Sequence, residues 1–198
     1  YVDDVFGEAR QAGDGIFALI DKFKEYPEVG VPMYGPIINT VTRGARLKKF
    51  YLRSAASGVG KTRSMIADAC YVSCEKIYNE SFGWIKIGTC QPTLFITTEQ
   101  ELEEVQTMML AFLSNVNEEH ILNGSYEGDE EDRVREAAGI LSKAPLFVEE
   151  LPDFSLKDVE DFCNCICNTK IFHLLINLLN SFKNSILKVR IYIFRYAC

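Results

Sequence analysis

The chain has 198 residues, 47% hydrophobic and 25% charged, the make-up of one globular domain with room for a sizeable core. Its formal net charge of -7 excludes a wholly basic nucleic-acid binder, although a local channel could still be positive. Seven cysteines without an even, regular framework, and without a secretory signal, are expected to be free thiols in a reducing compartment. The charge is unevenly spread: residues 1–161 carry 16 basic and 28 acidic side chains, whereas Phe162 to Cys198 holds five basic residues and no acid. Tyr1 in place of a starting Met points to a fragment or a partial gene model.

Residues 4 to 26 set Val5, Phe6, Ala9, Ile16, Phe17, Leu19, Ile20 and Phe23 at roughly helical spacing, interrupted by Gly13 and Gly15, which predicts a helix or a broken helix pair. Pro27, Pro32 and Pro36 predict an extended or turning connector over Glu25 to Thr42, closed by the charged turn Arg43-Gly44-Ala45-Arg46. Phe50 to Ala55 follows as an apolar strand and runs directly into Ala56-Ser57-Gly58-Val59-Gly60-Lys61-Thr62.

That stretch carries the chemistry. Two glycines free the main chain so that its N–H groups can face a polyphosphate, and the Gly-Lys-Thr ending is that of a P-loop. Lys61 would reach the β- and γ-phosphates, and the Thr62 hydroxyl would sit on Mg²⁺, both at the start of a helix whose dipole favours anions. The strict G-x-x-x-x-G-K-[ST] pattern fails at its first position, Ala55, so the flanks must support it. They do: an apolar strand precedes the loop, and Met65, Ile66, Ala69, Val72 and Ile77 give a buried helix face over Lys61 to Glu80.

Beyond this helix, Gly83 to Ile87 reads as a short strand or hairpin arm, with Trp84 either in the core or as a stacking surface. Gln91 to Glu99 is the next strand, its Leu94-Phe95-Ile96 run suited to a strand covered on both faces. It delivers Glu99 to a strand's carboxyl end, where ligands of open α/β sheets bind. Thr98 is the expected N-cap of a helix through Val105, Met108, Met109 and Phe112, with Glu101, Glu103 and Glu104 biasing its start. Asn117 to Gly124 reads as a short helix and turn with His120 as a surface histidine. Asp129-Glu130-Glu131-Asp132 opens a further helix with Val134, Ala137, Ala138 and Leu141 inward and Lys143 near its end, and the acidic run reads as a solvated helix start rather than a metal cage. Leu146-Phe147-Val148 is the third strand, and Ser155 is expected to cap a helix from Leu156. Strands alternating with helices predict right-handed crossovers and an α/β fold with a mostly parallel sheet flanked by helices.

In this order the landmarks resemble a family, the RecA-like motor domain of hexameric DnaB-type replicative helicases and their phage relatives, over about Gly30 to Glu160. Gly30-Val31-Pro32-Met33-Tyr34-Gly35 resembles the Gly-Ile-x-Thr-Gly opening of that domain, and Thr42-Arg43-Gly44-Ala45-Arg46 its glycine turn into the first core strand. Ala55 to Thr62 is similar to the family's P-loop, which often begins with Ala, and Thr97-Thr98-Glu99-Gln100 stands at the positions of its Ser-Leu-Glu-Met. Pro145 to Pro152 is similar to its next strand. The resemblance implies a RecA-like P-loop NTPase fold, incomplete at the carboxyl end, that binds ATP and Mg²⁺. Its site would comprise Ala55, Ala56, Ser57, Gly58, Val59, Gly60, Lys61 and Thr62 for the nucleotide, Thr62 for the metal, and Glu99 as the base orienting the attacking water. It further implies single-stranded DNA as partner, a homo-hexamer in the intact relative, no membrane, and a cytoplasmic, bacterial or phage-type, nucleoid-associated location.

Two parts of such a motor are missing from the sequence. A Walker B acid should follow four apolar residues, and the nearest candidate, Phe172-His173-Leu174-Leu175-Ile176-Asn177, carries Asn where Asp is wanted. No later strand offers an arginine finger. The chain therefore divides into an N-terminal helical or linker segment (1–29), a partial ATPase core (30–161) and an atypical tail (162–198). The tail has five Asn, six Ile, four Cys and neither Gly nor Pro in 37 residues. It reads as a strand plus amphipathic helix, as a metal site at Cys163, Cys165 and Cys167, or as translation of a shifted frame or unspliced A+T-rich sequence, and the last reading is favoured. The C-x-C-x-C spacing lacks zinc-site geometry, and the apolar run of Leu174 to Leu187 falls short of the roughly 20 residues that span a bilayer. Two rivals keep the P-loop and change the job: another RecA- or KaiC-like ATPase or a small-molecule kinase, and a truncated, non-catalytic remnant.

Overall fold

The computed structural model describes residues 11–46, 49–56, 58–87, 89–151, 172–177 and 188–195, with the last two stretches and residues 50, 52, 54 and 55 defined as backbone. Val5, Phe6, Ala9, Ser57, Ser155 and the cysteines at 163, 165 and 167 lie outside the described residues.

Among the described residues there are six helices and seven strands, the strands forming two sheets. The larger sheet has five strands, β1 (Phe50–Ala55), β4 (Thr93–Thr97), β5 (Leu146–Glu150), β6 (Phe172–Asn177) and β7 (Lys188–Arg195), in the order β1-β7-β6-β4-β5. β4 pairs in parallel with β5 and β6, whereas β7 is antiparallel to both of its neighbours, β1 and β6. Four strands thus run the same way, and β7 makes the sheet partly rather than uniformly parallel. β6 and β7 come from the stretch after Phe162, so residues of the compositionally odd tail form the middle of the sheet.

β1 and β4 lie where the sequence predicts. All five residues of β4 are buried, as its uninterrupted apolar run requires of a strand covered on both faces. α3 (Lys61–Ser73) packs on it, α4 (Leu102–Ser114) packs on α3 and β5, and α6 (Glu130–Leu141) packs on α4, with Met65, Ile66, Phe95, Val105, Met109 and Leu113 in the shared core. On α6 Val134, Ala137 and Ile140 are buried; Ala138, expected inward, is exposed, and Lys143 lies beyond the helix end.

Three expectations are corrected. α3 stops at Ser73, not Glu80, because Lys76–Asn79 (β2) and Gly83–Lys86 (β3) form an antiparallel hairpin. Its cross-strand pair Tyr78 and Trp84 meets edge to face at 5.6 Å, and Ile77 belongs to this strand and not to a helix face. Next, α4 is not capped by Thr98: its N-cap is Glu101, whose own side chain makes no capping bond, and the Glu150 carboxylate at the end of β5 accepts from the Leu102 N–H. Finally, the connector between residues 25 and 42 contains a helix, α2 (Pro36–Thr42), with Pro36 at its first turn, where a missing N–H has no cost.

The amino-terminal helix is α1 (Ile16–Glu25); none of its residues is buried. The connector is stapled to the core by a bridge between Val31 and Ala45, with Gly30 N–H donating to the Arg43 carbonyl at 2.8 Å. A Cβ on Gly30 would stand 2.3 Å from the Ala45 carbonyl carbon, so only glycine fits. Among the described residues no helix is long and apolar enough to cross a membrane.

Candidate functional site

Because β1, β6, β4 and β5 run the same way, their carboxyl ends lie along one edge of the sheet. There β1 opens into the loop of residues 56–60, and β4 leads into Glu99. On that edge Thr97, the last residue of β4, is in register with both Asn177 of β6 and Glu150 of β5. β1 and β4 are three strand spacings apart, about 14 Å. The edge therefore has a basic end at the loop and an acidic end at β4 and β5.

Gly58 and Gly60 have φ of +77° and +81°, a left-handed conformation that a β-branched or bulky residue would resist. A Cβ placed on either would meet nothing within 4 Å, so the glycines serve the turn of the main chain rather than close packing. Ala55 ends β1, Ala56 and Val59 are exposed, and α3 begins at Lys61. Gly60 is its N-cap, without a side-chain capping bond, and the first turn contains no acid. It contains Lys61 and Arg63 instead, two cations at the positive end of the helix dipole. Such an end is electrostatically completed by an anion, and main-chain N–H groups directed along the axis are what a phosphate accepts from.

Lys61 is 7% exposed, and its Nζ donates to the Ala56 carbonyl oxygen at 2.6 Å, across the mouth of its own loop. Thr62 is half-buried at the second position of the helix, beside it. Open glycine backbone, an uncapped helix start and a lysine resting on a loop carbonyl fit a polyphosphate. Glu99 is exposed, beyond β4, and the neighbouring Gln100 N–H donates to Thr97 Oγ1 at 3.2 Å. The structure thus brings the loop, Lys61 and Thr62 together, and sets Glu99 on the same edge at the far side of the gap.

Sequence reasoning missed what lies behind the loop. Asp68, 1% exposed on α3, is held by Arg53 of β1 at 2.9 Å and by the Tyr34 N–H at 2.9 Å. Arg53 also donates to Ser64 Oγ at 2.7 Å. The signal was available: a charge in an apolar strand and another on a buried helix face are rarely tolerated unless paired. His120, expected at the surface, is partly buried and its Nδ1 lies 2.8 Å from Glu130 Oε2. That hydrogen bond raises the His120 pKa above its ordinary value, while the Glu127 N–H and then His120 hold Glu130 below its own. Among the described residues no cluster of three or more His, Cys, Asp or Glu is placed to hold a metal ion.

The chain is similar to known proteins in three respects. The family model for the DnaB-like helicase C terminal domain matches residues 30–187. The SPbeta prophage-derived protein YorI of Bacillus subtilis (strain 168) is 40% identical over 151 residues, 76% of this chain and 30% of that protein. A solved ATPase domain superposes with a TM-score of 0.63 at 12% identity, covering 90% of this chain and 62% of the other. A DnaB-like replicative helicase, solved in a study of its interactions with primase, gives 0.67 at 12% identity, with 90% and 42% covered. The chain spans less than a third of the length of YorI and under two thirds of either solved chain. These superpositions give the fold, that of RecA-like ATPase domains. By the match over residues 30–187, the chain belongs to the DnaB-like helicase C-terminal domain family.

Proposed function

We infer that this chain is the ATP-binding part of a DnaB-like helicase motor, which in the intact protein couples ATP hydrolysis to movement along single-stranded DNA within a homo-hexameric ring. The observation that carries this is the amino end of α3, an uncapped helix start with two cations and no acid, behind a loop with two left-handed glycines. On binding, Lys61 would exchange the Ala56 carbonyl for the β- and γ-phosphate oxygens, and the main-chain N–H groups of residues 58–62 would take the remaining charge. The Thr62 hydroxyl would be this chain's ligand to Mg²⁺, which would supply charge neutralisation for the phosphates. Glu99, exposed beyond β4 on the same edge, would orient the attacking water and accept its proton.

Asn177 favours a second reading, nucleotide binding with little turnover. It stands at the carboxyl end of β6, next to β4, where a Walker B acid would hold the metal through water, and an amide supplies no negative charge. Hydrolysis of ATP with and without single-stranded DNA separates the two readings. If the chain is a working motor, Glu99→Gln lowers turnover by about 10²–10³-fold while binding stays within twofold. If Asn177 limits the reaction, wild-type turnover is low and Asn177→Asp raises it about tenfold. Turnover indifferent to both changes would contradict the assignment of this edge.

A further inference from the structure

The loop before α3 leaves open space at its glycines, with nothing within 4 Å of a Cβ built at Gly58 or Gly60. Its helix end is nevertheless tied down from behind. Arg53 stands two residues before the end of β1, and its guanidinium reaches two successive turns of α3. One nitrogen donates to Ser64 Oγ at 2.7 Å and the other pairs with Asp68 Oδ2 at 2.9 Å. Ser64 passes the constraint on: its hydroxyl donates to the Lys61 carbonyl at 2.9 Å, and its N–H donates to the Gly60 carbonyl at 3.0 Å. Asp68 in turn accepts from the Tyr34 N–H at 2.9 Å, and the Tyr34 ring meets Tyr71 and Phe112 edge to face at 5.9 and 5.0 Å.

We propose that Arg53 and Ser64 are positioning residues for the phosphate loop. They fix the Gly60–Lys61 peptides at a set angle to β1, so that the start of α3 is already in place when a phosphate arrives. The proposal rests on the reading of residues 55–62 as an ATP loop. A planar fork on a rigid strand can hold two turns of a helix at once, which a single ammonium cannot do. Ordering done in the free protein need not be done on binding, so the brace acts on affinity for the polyphosphate rather than on the fold as a whole. Asp68 serves as the buried counter-charge that fixes the guanidinium, and Tyr34 ties that charge to the connector.

The test is titration of the full chain with a fluorescent, non-hydrolysable ATP analogue, together with thermal unfolding of each variant. Ser64→Ala should bind about fivefold more weakly, and Ser64→Thr, which keeps the hydroxyl, should return to within about twofold of wild type. Arg53→Lys, which keeps the charge opposite Asp68 but loses the fork, should bind about tenfold more weakly, measured well below its unfolding midpoint. Wild-type affinity in both Ser64→Ala and Arg53→Lys, with Lys61→Ala still impaired, overturns the brace and leaves the loop reading intact. If the wild-type chain binds the analogue no better than Lys61→Ala does, the loop reading falls and the brace falls with it.

Discussion

The amino ends of α3 and α6 solve the same problem in opposite ways. Each sets its first main-chain N–H groups at the positive end of a helix dipole. α6 answers from within the chain: Glu130, Glu131 and Asp132 occupy its first turn, and two of them also engage His120 and Arg135. α3 has no acid there and no capping side chain, and carries Lys61 and Arg63. A helix start that is complete in itself leaves nothing for a ligand to do. One with no acid of its own, at the carboxyl edge of a mostly co-directional sheet and behind two left-handed glycines, suits an anion supplied from outside.

Four changes break or sharpen this contrast. The largest effect is expected of Lys61→Ala, which removes the cation and its bond to the Ala56 carbonyl at the first position of α3. ATP affinity should fall about 100-fold, near 2.7 kcal/mol, by calorimetric titration, with little change in the unfolding midpoint. Next, pyrophosphate should stabilise the chain through α3 alone. At ten times its dissociation constant the gain is about 1.4 kcal/mol in wild type, read as a raised thermal midpoint, and the gain should vanish in Lys61→Ala. A smaller effect is expected at α6, where Glu131→Gln removes a charge from the first turn and its pair with Arg135 at 2.6 Å. Urea unfolding should show a loss of about 0.5 kcal/mol, reduced by salt, and nucleotide binding should be unaffected.

The smallest effect concerns pH. The His120 pKa is raised above 6.5, so what its pairing contributes to stability is complete below 6.5 and is lost as pH rises through the folded-state value. Glu130 is held below 4.5, so its contribution is complete above 4.5 and is lost as pH falls through the lowered value. The stability difference between wild type and His120→Gln should therefore be widest between these limits and narrow on both sides. A difference that grows with rising pH would contradict the pairing.

What was legible in the sequence was local. Phe50 to Ala55 and the buried run of Leu94, Phe95 and Ile96 announce strands by their apolar continuity, and the four acids from Asp129 announce α6. The glycine-lysine-threonine ending predicts the loop even with Ala55 in place of a glycine. What was not legible depended on partners distant in the chain. Lys76 to Asn79 keeps a helical apolar spacing with α3, and only its pairing with Gly83 to Lys86 makes it a strand. The cap of α4 comes from Glu150, 48 residues away, which no pattern near Thr98 could reveal. The brace needs an arginine in one element and an aspartate in the next, each of which looks like an isolated misfit until the two are paired. β7 was illegible for the same reason: its antiparallel insertion between β1 and β6 is a matter of register, not composition.

The most direct measurement is a crystal structure of the chain with Mg²⁺ and a non-hydrolysable ATP analogue. The account predicts the triphosphate over residues 56–62, Lys61 Nζ withdrawn from the Ala56 carbonyl to the β- and γ-phosphates, and the γ-phosphate facing the edge that holds Glu99. A nucleotide bound elsewhere, or bound there with Lys61 still resting on Ala56, would contradict it.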